Sequence, residues 1–137
     1  MSVPKLGTIT IGQAPRADVT PILDQHVPAS VERVHVGVLD RLSDADIALQ
    51  FGPRPREQRM LTRLLDGSTV EVDARAVETG VQRKLLELED AGCTVVVVLC
   101  TGVFRGLRSR RAWLIEPDRI LPALVGAWRR YGGGIQL

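Results

Sequence analysis

A single thiol ends the most apolar run of the sequence, "TVVVVLCTG" over residues 94–102. A free cysteine is often only a buried packing residue, so residue type alone favours packing for Cys100. Its position favours chemistry instead, because the end of a central parallel strand faces a crevice in which nearby helix N-termini stabilise a thiolate. We therefore treat Cys100 as a candidate catalytic residue, and Thr101 and Gly102 beside it as candidate substrate-binding residues. Cys93 precedes the same strand at the opposite edge of the sheet, and we interpret it as structural.

A second candidate loop, "GQAPRAD" over residues 12–18, follows the first apolar strand pattern. Gly12 would let the backbone approach a ligand closely, and the helix that follows offers unpaired N–H groups that favour an anion. Gln13 can donate and accept hydrogen bonds, while Arg16 can grip a carboxylate or a phosphate. The alternative is a tight turn with an exposed arginine. Neither a G-x-G-x-x-G nor a P-loop pattern is present to decide between the two.

Charged residues mark two more places. Glu116 stands directly before Pro117, where it would either cap the last helix, which we favour, or put a carboxylate on the rim of the crevice as a substrate-binding group. The stretch "RGLRSRR" over residues 105–111 is the one dense basic cluster. We interpret it as a solvated loop or an anion contact rather than a nucleic-acid patch.

Composition indicates one soluble globular domain, with 137 residues, 45% hydrophobic residues and a net charge of only +2. No partner nucleic acid or membrane is expected, because the charge is scattered and no apolar run approaches the ~20 residues of a membrane span. Two cysteines form no disulfide framework, and no signal peptide is recognisable, so we expect a cytoplasmic protein. Without a Cys-x-x-Cys pair, and with His26 and His35 on different elements, we expect no metal and no cofactor.

Strand and helix patterns alternate along the chain. Strands are predicted over residues 6–11, 31–39, 94–99 and 112–115, with a weaker candidate at 70–72. Helices are predicted over residues 18–25, 43–51, 57–65, 74–91 and 117–131. Asp18, Ser43 and Asp73 are the expected N-caps, and Gly67 is expected to end the third helix. This order predicts the α/β class, an open and mostly parallel sheet with helices on both faces.

The final "GGGIQL" indicates a glycine turn into a strand at Ile135 that the chain does not complete. We expect a truncated or processed piece of a longer protein; a frayed C-terminus is the alternative. An unfinished strand leaves an unpaired sheet edge and exposed apolar groups. A homodimer or higher oligomer is therefore expected, with the C-terminal segment near the contact.

Three segments, "LGTITIGQAPRADV", "VVVVLCTG" and "LIEPDRILPALV", resemble in order and spacing segments of the AroM family. The resemblance runs from Leu6 to the final residue and covers the first half of a typical member. AroM proteins are similar in turn to the aspartate/glutamate/hydantoin racemase superfamily. That likeness implies two α/β domains facing each other across a cleft, each supplying one cysteine. Cys100-Thr101 falls where racemases have a Cys-Asn-Thr type motif, and Glu116-Pro117 where they have a similar Glu-Pro.

The chemistry that this resemblance implies is proton transfer, in which one thiolate removes the α-proton of an amino acid and a thiol on the other face returns it. The sequence departs from the racemase pattern in three ways. Thr101 follows Cys100 with no asparagine between, Gln13 replaces an acidic residue, and the second cysteine is not in this sequence. We expect a domain that binds a small carboxylate or similar anion, with racemase- or isomerase-like catalysis requiring a second domain or subunit. A non-enzymatic ligand-binding or interaction module is the alternative.

Overall fold

The computed structural model of the chain describes residues 4–100 and 102–130. In chain order these residues form β1 (Lys5–Thr10), α1 (Thr20–His26), β2 (Glu32–Gly37), α2 (Asp44–Phe51), β3 (Arg59–Arg63), β4 (Thr69–Asp73), α3 (Ala74–Asp90), β5 (Val95–Val98), β6 (Trp113–Ile115) and α4 (Pro117–Arg130).

Four strands form one parallel sheet in the order β2-β1-β5-β6. Val95 of β5 lies opposite Leu6 of β1 and Trp113 of β6, so β5 has a parallel neighbour on each side, as its apolar sequence predicts. The predicted α/β class and open parallel sheet are confirmed. Since β1 and β5 run in the same direction, both candidate loops leave the same edge of the sheet.

One face of the sheet carries the core. Helix α3 packs there through an apolar stripe that includes Val81, Leu85 and Leu88, all at most 1% exposed. Leu88 lies against Gly7 of β1, and Val96 of β5 is fully buried on the same face. The predicted capping by Asp73 is confirmed, because its side chain accepts the Ala76 N–H, and Ser43 caps α2 by accepting the Asp46 N–H.

The other face is covered less completely. Arg33 on this face joins α1 through its Nε, 3.1 Å from Asp24 Oδ1, and through its Nη2, which donates to the Val27 carbonyl. Near β6 the side chains of this face are more exposed to solvent: Val95 and Val97 are only half-buried, and Trp113 is 79% exposed. Helices therefore flank the sheet on both sides, but α3 supplies most of the buried apolar surface.

The predicted helix over residues 57–65 is wrong. Residues Arg59–Arg63 form β3, which pairs antiparallel with β4 in a separate two-stranded hairpin. Gly67 sits in its turn with φ of 87°, a left-handed conformation that glycine adopts without strain. The weak strand candidate at 70–72 is thereby extended to Thr69–Asp73. Cross-strand pairing, which acts between distant residues, outweighs the helix-like spacing within residues 57–65.

Two smaller predictions also need correction or fall outside the described residues. Asp18 is not an N-cap: α1 begins at Thr20 with Val19 before it and no side-chain cap, because the Asp18 carboxylate pairs with Arg16 instead. The predicted strand at Ile135 lies outside the described residues. None of the helices in the described ranges is long and apolar enough to cross a membrane.

Candidate functional site

An open cavity of about 560 Å³ lies where the loops after β1 and β5 meet the hairpin. Its walls are Ile11, Arg16, Asp18, Val19, Leu61, Thr62, Arg63, Thr69, Leu99, Cys100 and Pro117. The structure thus brings the predicted residues Arg16 and Cys100 together at the carboxyl edge of the sheet. The sequence did not predict the hairpin wall of the cavity, because a helix over residues 57–65 would place Arg63 at a different position. The alternation in "RMLTR" and "TVEVD", joined by a turn with Gly67, was the signal for it.

Cys100 is half-buried, and its Sγ accepts a hydrogen bond from the Gly102 N–H at 3.2 Å. This hydrogen bond ties the Cys100 side chain to its own loop, and a Cβ on Gly102 would lie 2.6 Å from Met60 Cε. Thr101, the third candidate of this loop, lies outside the described residues.

Cys93 provides the contrast. It is only 4% exposed and lies against β1 at the amino edge of the sheet, next to Gly7. Burial raises the pKa of its thiol, which favours the neutral, unreactive form. The structure places Cys93 away from the cavity, in agreement with a packing role.

Arg16 holds Asp18 in a two-point contact, with Nε 2.8 Å from Oδ1 and Nη2 2.6 Å from Oδ2. This hydrogen bond lowers the pKa of Asp18 to about 2 and raises that of Arg16, so both groups are charged at neutral pH. A ligand anion must share the guanidinium with Asp18 or displace it. Arg63, on the hairpin wall, forms no ion pair with any residue in the described ranges.

Gly12 and Gln13 do not line this cavity. Gln13 spans two segments: its Oε1 accepts the Leu65 N–H at 2.8 Å, and its Nε2 donates to the Leu39 carbonyl at 3.3 Å. A Cβ on Gly12 would lie 2.3 Å from the Arg63 carbonyl oxygen. Both residues hold the hairpin against the first loop, and so they fix the position of the cavity wall.

Glu116 is 7% exposed and is not part of the cavity lining, although the next residue, Pro117, is. Burial raises the pKa of Glu116. The negative charges of Asp118 and Glu78 also raise this pKa, whereas the positive charge of Arg119 lowers it. Its Oε2 lies 3.0 Å from Arg119 Nε, while Oε1 has no hydrogen-bond partner among the described residues. The structure therefore places Glu116 directly before α4, where its carboxylate pairs with Arg119 instead of lining the cavity. Among the described residues it accepts no main-chain N–H of α4, so the predicted side-chain cap is not formed.

The basic stretch over residues 105–111 forms a loop, the basic loop, whose main-chain N–H groups donate hydrogen bonds to side chains of α3. The N–H groups of Arg105 and Arg108 donate to Glu78 and Gln82. Glu89 accepts the N–H groups of Arg110, Arg111 and Ala112. This loop does not line the cavity. Among residues 4–100 and 102–130, no three His, Cys, Asp or Glu side chains are grouped so that they could hold a metal ion.

The sequence model of a family described as AroM protein matches residues 6–133. No curated protein and no solved structure matches the chain.

Proposed function

The chain belongs to the AroM family, and the site described above lies within the residues that the family model matches; we propose that it binds a small carboxylate or similar anion in the cavity of Arg16, Arg63 and Cys100. The observation that supports this proposal is the convergence of two guanidinium groups and a thiol on one cavity at the carboxyl edge of a parallel sheet.

The walls suit a ligand with one charged and one apolar part. A guanidinium binds a carboxylate through two parallel hydrogen bonds. Arg63 forms no ion pair with a described residue, although the nearby Asp18 feels its charge, so Arg63 is freer than Arg16 to bind a ligand anion. Ile11, Val19 and Leu99 supply apolar surface for the rest of the molecule. A cavity of about 560 Å³ is in the range that accommodates small molecules.

A second candidate function is cysteine-dependent racemase- or isomerase-like chemistry. Cys100 favours it, because the thiol lines the cavity and accepts the Gly102 N–H. A Cys100 thiolate would take the α-proton of a bound amino acid: the C–H bond breaks, an S–H bond forms, and the electron pair moves into the carboxylate. Among the described residues no second thiol reaches the cavity. The second acid would come from another domain or subunit, and we propose that this chain is the first α/β half of a two-domain, racemase-like protein.

Anion binding is tested by titrating the full chain with succinate, and separately with inorganic phosphate, while amide NMR shifts are recorded. We expect saturable shifts around Cys100 and Arg16, and about tenfold weaker binding in Arg63→Gln. Arg110→Gln is the matched control, since Arg110 is exposed and lies on the basic loop away from the cavity. Unchanged shifts with both anions, or an equal loss in the control, would refute the proposed anion site.

The catalytic candidate is tested by incubating the chain with single amino acids in D₂O and following the α-proton signal by NMR. A single base that exchanges its proton with solvent gives deuterium incorporation without inversion, and Cys100→Ser abolishes it. Anion binding with no exchange for any amino acid would support the non-enzymatic binding module and reject the catalytic one.

A further inference from the structure

Another cavity, of about 320 Å³, lies between the C-terminal end of α2 and the N-terminal half of α3. Its charged lining residues are Arg54, Asp73, Arg75 and Arg83. We call it the α2–α3 cavity. It shares no lining residue with the cavity of Cys100. Thr69 and Asp73, the two ends of β4, line one cavity each, and they stand about 13 Å apart along the strand.

Close packing of the two helices brings the arginines together. A Cβ on Gly80 of α3 would lie 3.3 Å from Phe51 Cε1 at the end of α2, so the missing side chain lets the two helices approach. Arg54 follows α2 in the chain. Arg75 and Arg83 stand on α3 eight residues apart, about 80° around the helix and 12 Å along it. Three guanidinium groups from two segments thus reach one cavity.

The guanidinium groups of this cavity have no acidic partner. Arg54, Arg75 and Arg83 are exposed, and none of them forms an ion pair with a described residue. Positive charges grouped in this way repel one another. A phosphate group removes that repulsion, because it carries close to two negative charges at neutral pH and accepts charge-assisted hydrogen bonds from more than one arginine.

Asp73 places a second condition on the ligand. Its side chain is 2% exposed, and its Oδ2 accepts the Ala76 N–H at 2.9 Å. Its Oδ1 is buried and has no hydrogen-bond partner among the described residues. A buried acceptor that lacks a donor is costly. A phosphate dianion cannot supply that donor, whereas a hydroxyl group can.

We propose that the α2–α3 cavity binds a small phosphate ester that carries a hydroxyl group, the class to which glycerol phosphates and sugar phosphates belong. Arg54, Arg75 and Arg83 bind the phosphate, and Asp73 Oδ1 accepts the hydroxyl group. A cavity of about 320 Å³ is at the small end of the range for ligand sites, which favours a ligand of this size over a dinucleotide.

The test is titration of the full chain at pH 8 with glycerol 3-phosphate and, separately, with methyl phosphate, while amide NMR shifts are recorded. We expect saturable shifts at Ala76 and Thr79, which line the cavity. Arg83→Gln should weaken the binding of both phosphates about tenfold. Lys84→Gln is the matched control, because Lys84 is the next residue of the same helix, pairs with Glu87 and does not line the cavity.

The hydroxyl contact is tested in two ways. The parent chain should bind glycerol 3-phosphate about tenfold more tightly than methyl phosphate, which has no alcohol group. Asp73→Asn should remove this preference. Asparagine keeps an oxygen for the Ala76 N–H and is as good an N-cap as aspartate, but it is not an ionised acceptor. Circular dichroism of each variant checks that the fold is kept.

Several outcomes would overturn the proposal. These are equal affinity of the parent chain for the two phosphates, an equal loss in Lys84→Gln and Arg83→Gln, and a preference that survives in a folded Asp73→Asn. Shifts confined to Cys100 and Arg16 would also overturn it, because they would place phosphate binding in the other cavity.

Discussion

Gly12 meets the hairpin at a distance that leaves no room for a methyl group. A Cβ there would lie 2.3 Å from the Arg63 carbonyl oxygen and 2.7 Å from Thr62 Oγ1. The sequence suggests close approach at this glycine, with a ligand as the neighbour. The close approach is real, but the neighbour is the cavity wall.

Gly12→Ala should therefore destabilise the protein by about 2 kcal/mol, because either the hairpin or the first loop must shift. Urea denaturation measures the difference. Gly126→Ala is the control: no atom lies within 4 Å of a Cβ there, and replacing glycine by alanine inside a helix stabilises by roughly 1 kcal/mol. A Gly12→Ala protein as stable as the parent would show that the hairpin does not press on the first loop in solution.

At the scale of elements, Glu89 joins α3 to the basic loop. Its carboxylate accepts three successive main-chain N–H groups at 2.7 to 3.3 Å. Burial alone would raise the pKa of Glu89, but the hydrogen bonds from Arg110, Arg111 and Ala112 outweigh it and the pKa is lowered below its ordinary 4.5. The ionised form is the one that binds the loop.

Because the folded-state pKa of Glu89 is the lower one, its contribution to stability is present above pH 4.5 and is lost as pH falls through the folded-state value. Glu89→Gln, which replaces one acceptor oxygen by a donor, should cost about 1 to 2 kcal/mol at pH 7 and much less at pH 3. Urea denaturation at both pH values measures this, with Glu87→Gln as control, since Glu87 has only an exposed ion pair with Lys84. A cost that is the same at both pH values would argue against a role for the charge.

Sequence reasoning succeeded for elements whose signals are local. The Asp73 cap, the α3 stripe and the Val95–Val98 strand depend on neighbouring residues, and the meeting of Arg16 with Cys100 followed from the geometry of parallel strands. It failed where partners are distant in sequence. Within residues 57–65, β3 forms by pairing with β4, so the contribution of Arg63 to the cavity could not be predicted. The hydrogen bond from the Leu65 N–H to Gln13 could not be predicted for the same reason.

At the scale of the whole molecule, the two faces of the sheet contribute unequally to stability. Val96 and Val97 are adjacent in β5 and point to opposite faces; Val96 is fully buried against the α3 side, while Val97 is half-buried. The same residue type on the same strand therefore experiences two environments.

Val96→Ala should cost about 2 to 3 kcal/mol, and Val97→Ala about half as much, because a cavity forms only where neighbours surround the missing methyl groups. Denaturant midpoints of the two variants make the comparison with the same substitution in one strand. Equal losses would mean that the second face is covered in solution as fully as the first.

The basic loop is attached to α3 by its own main chain, since Glu78, Gln82 and Glu89 accept N–H groups of the loop and none of its side chains. Such an attachment depends little on side-chain identity, although the Arg110 charge also helps to lower the pKa of Glu89. Arg105, Arg108 and Arg111 can therefore be changed to almost any residue while the loop keeps its path. Proline is the exception, because it alone lacks the N–H that each acceptor requires.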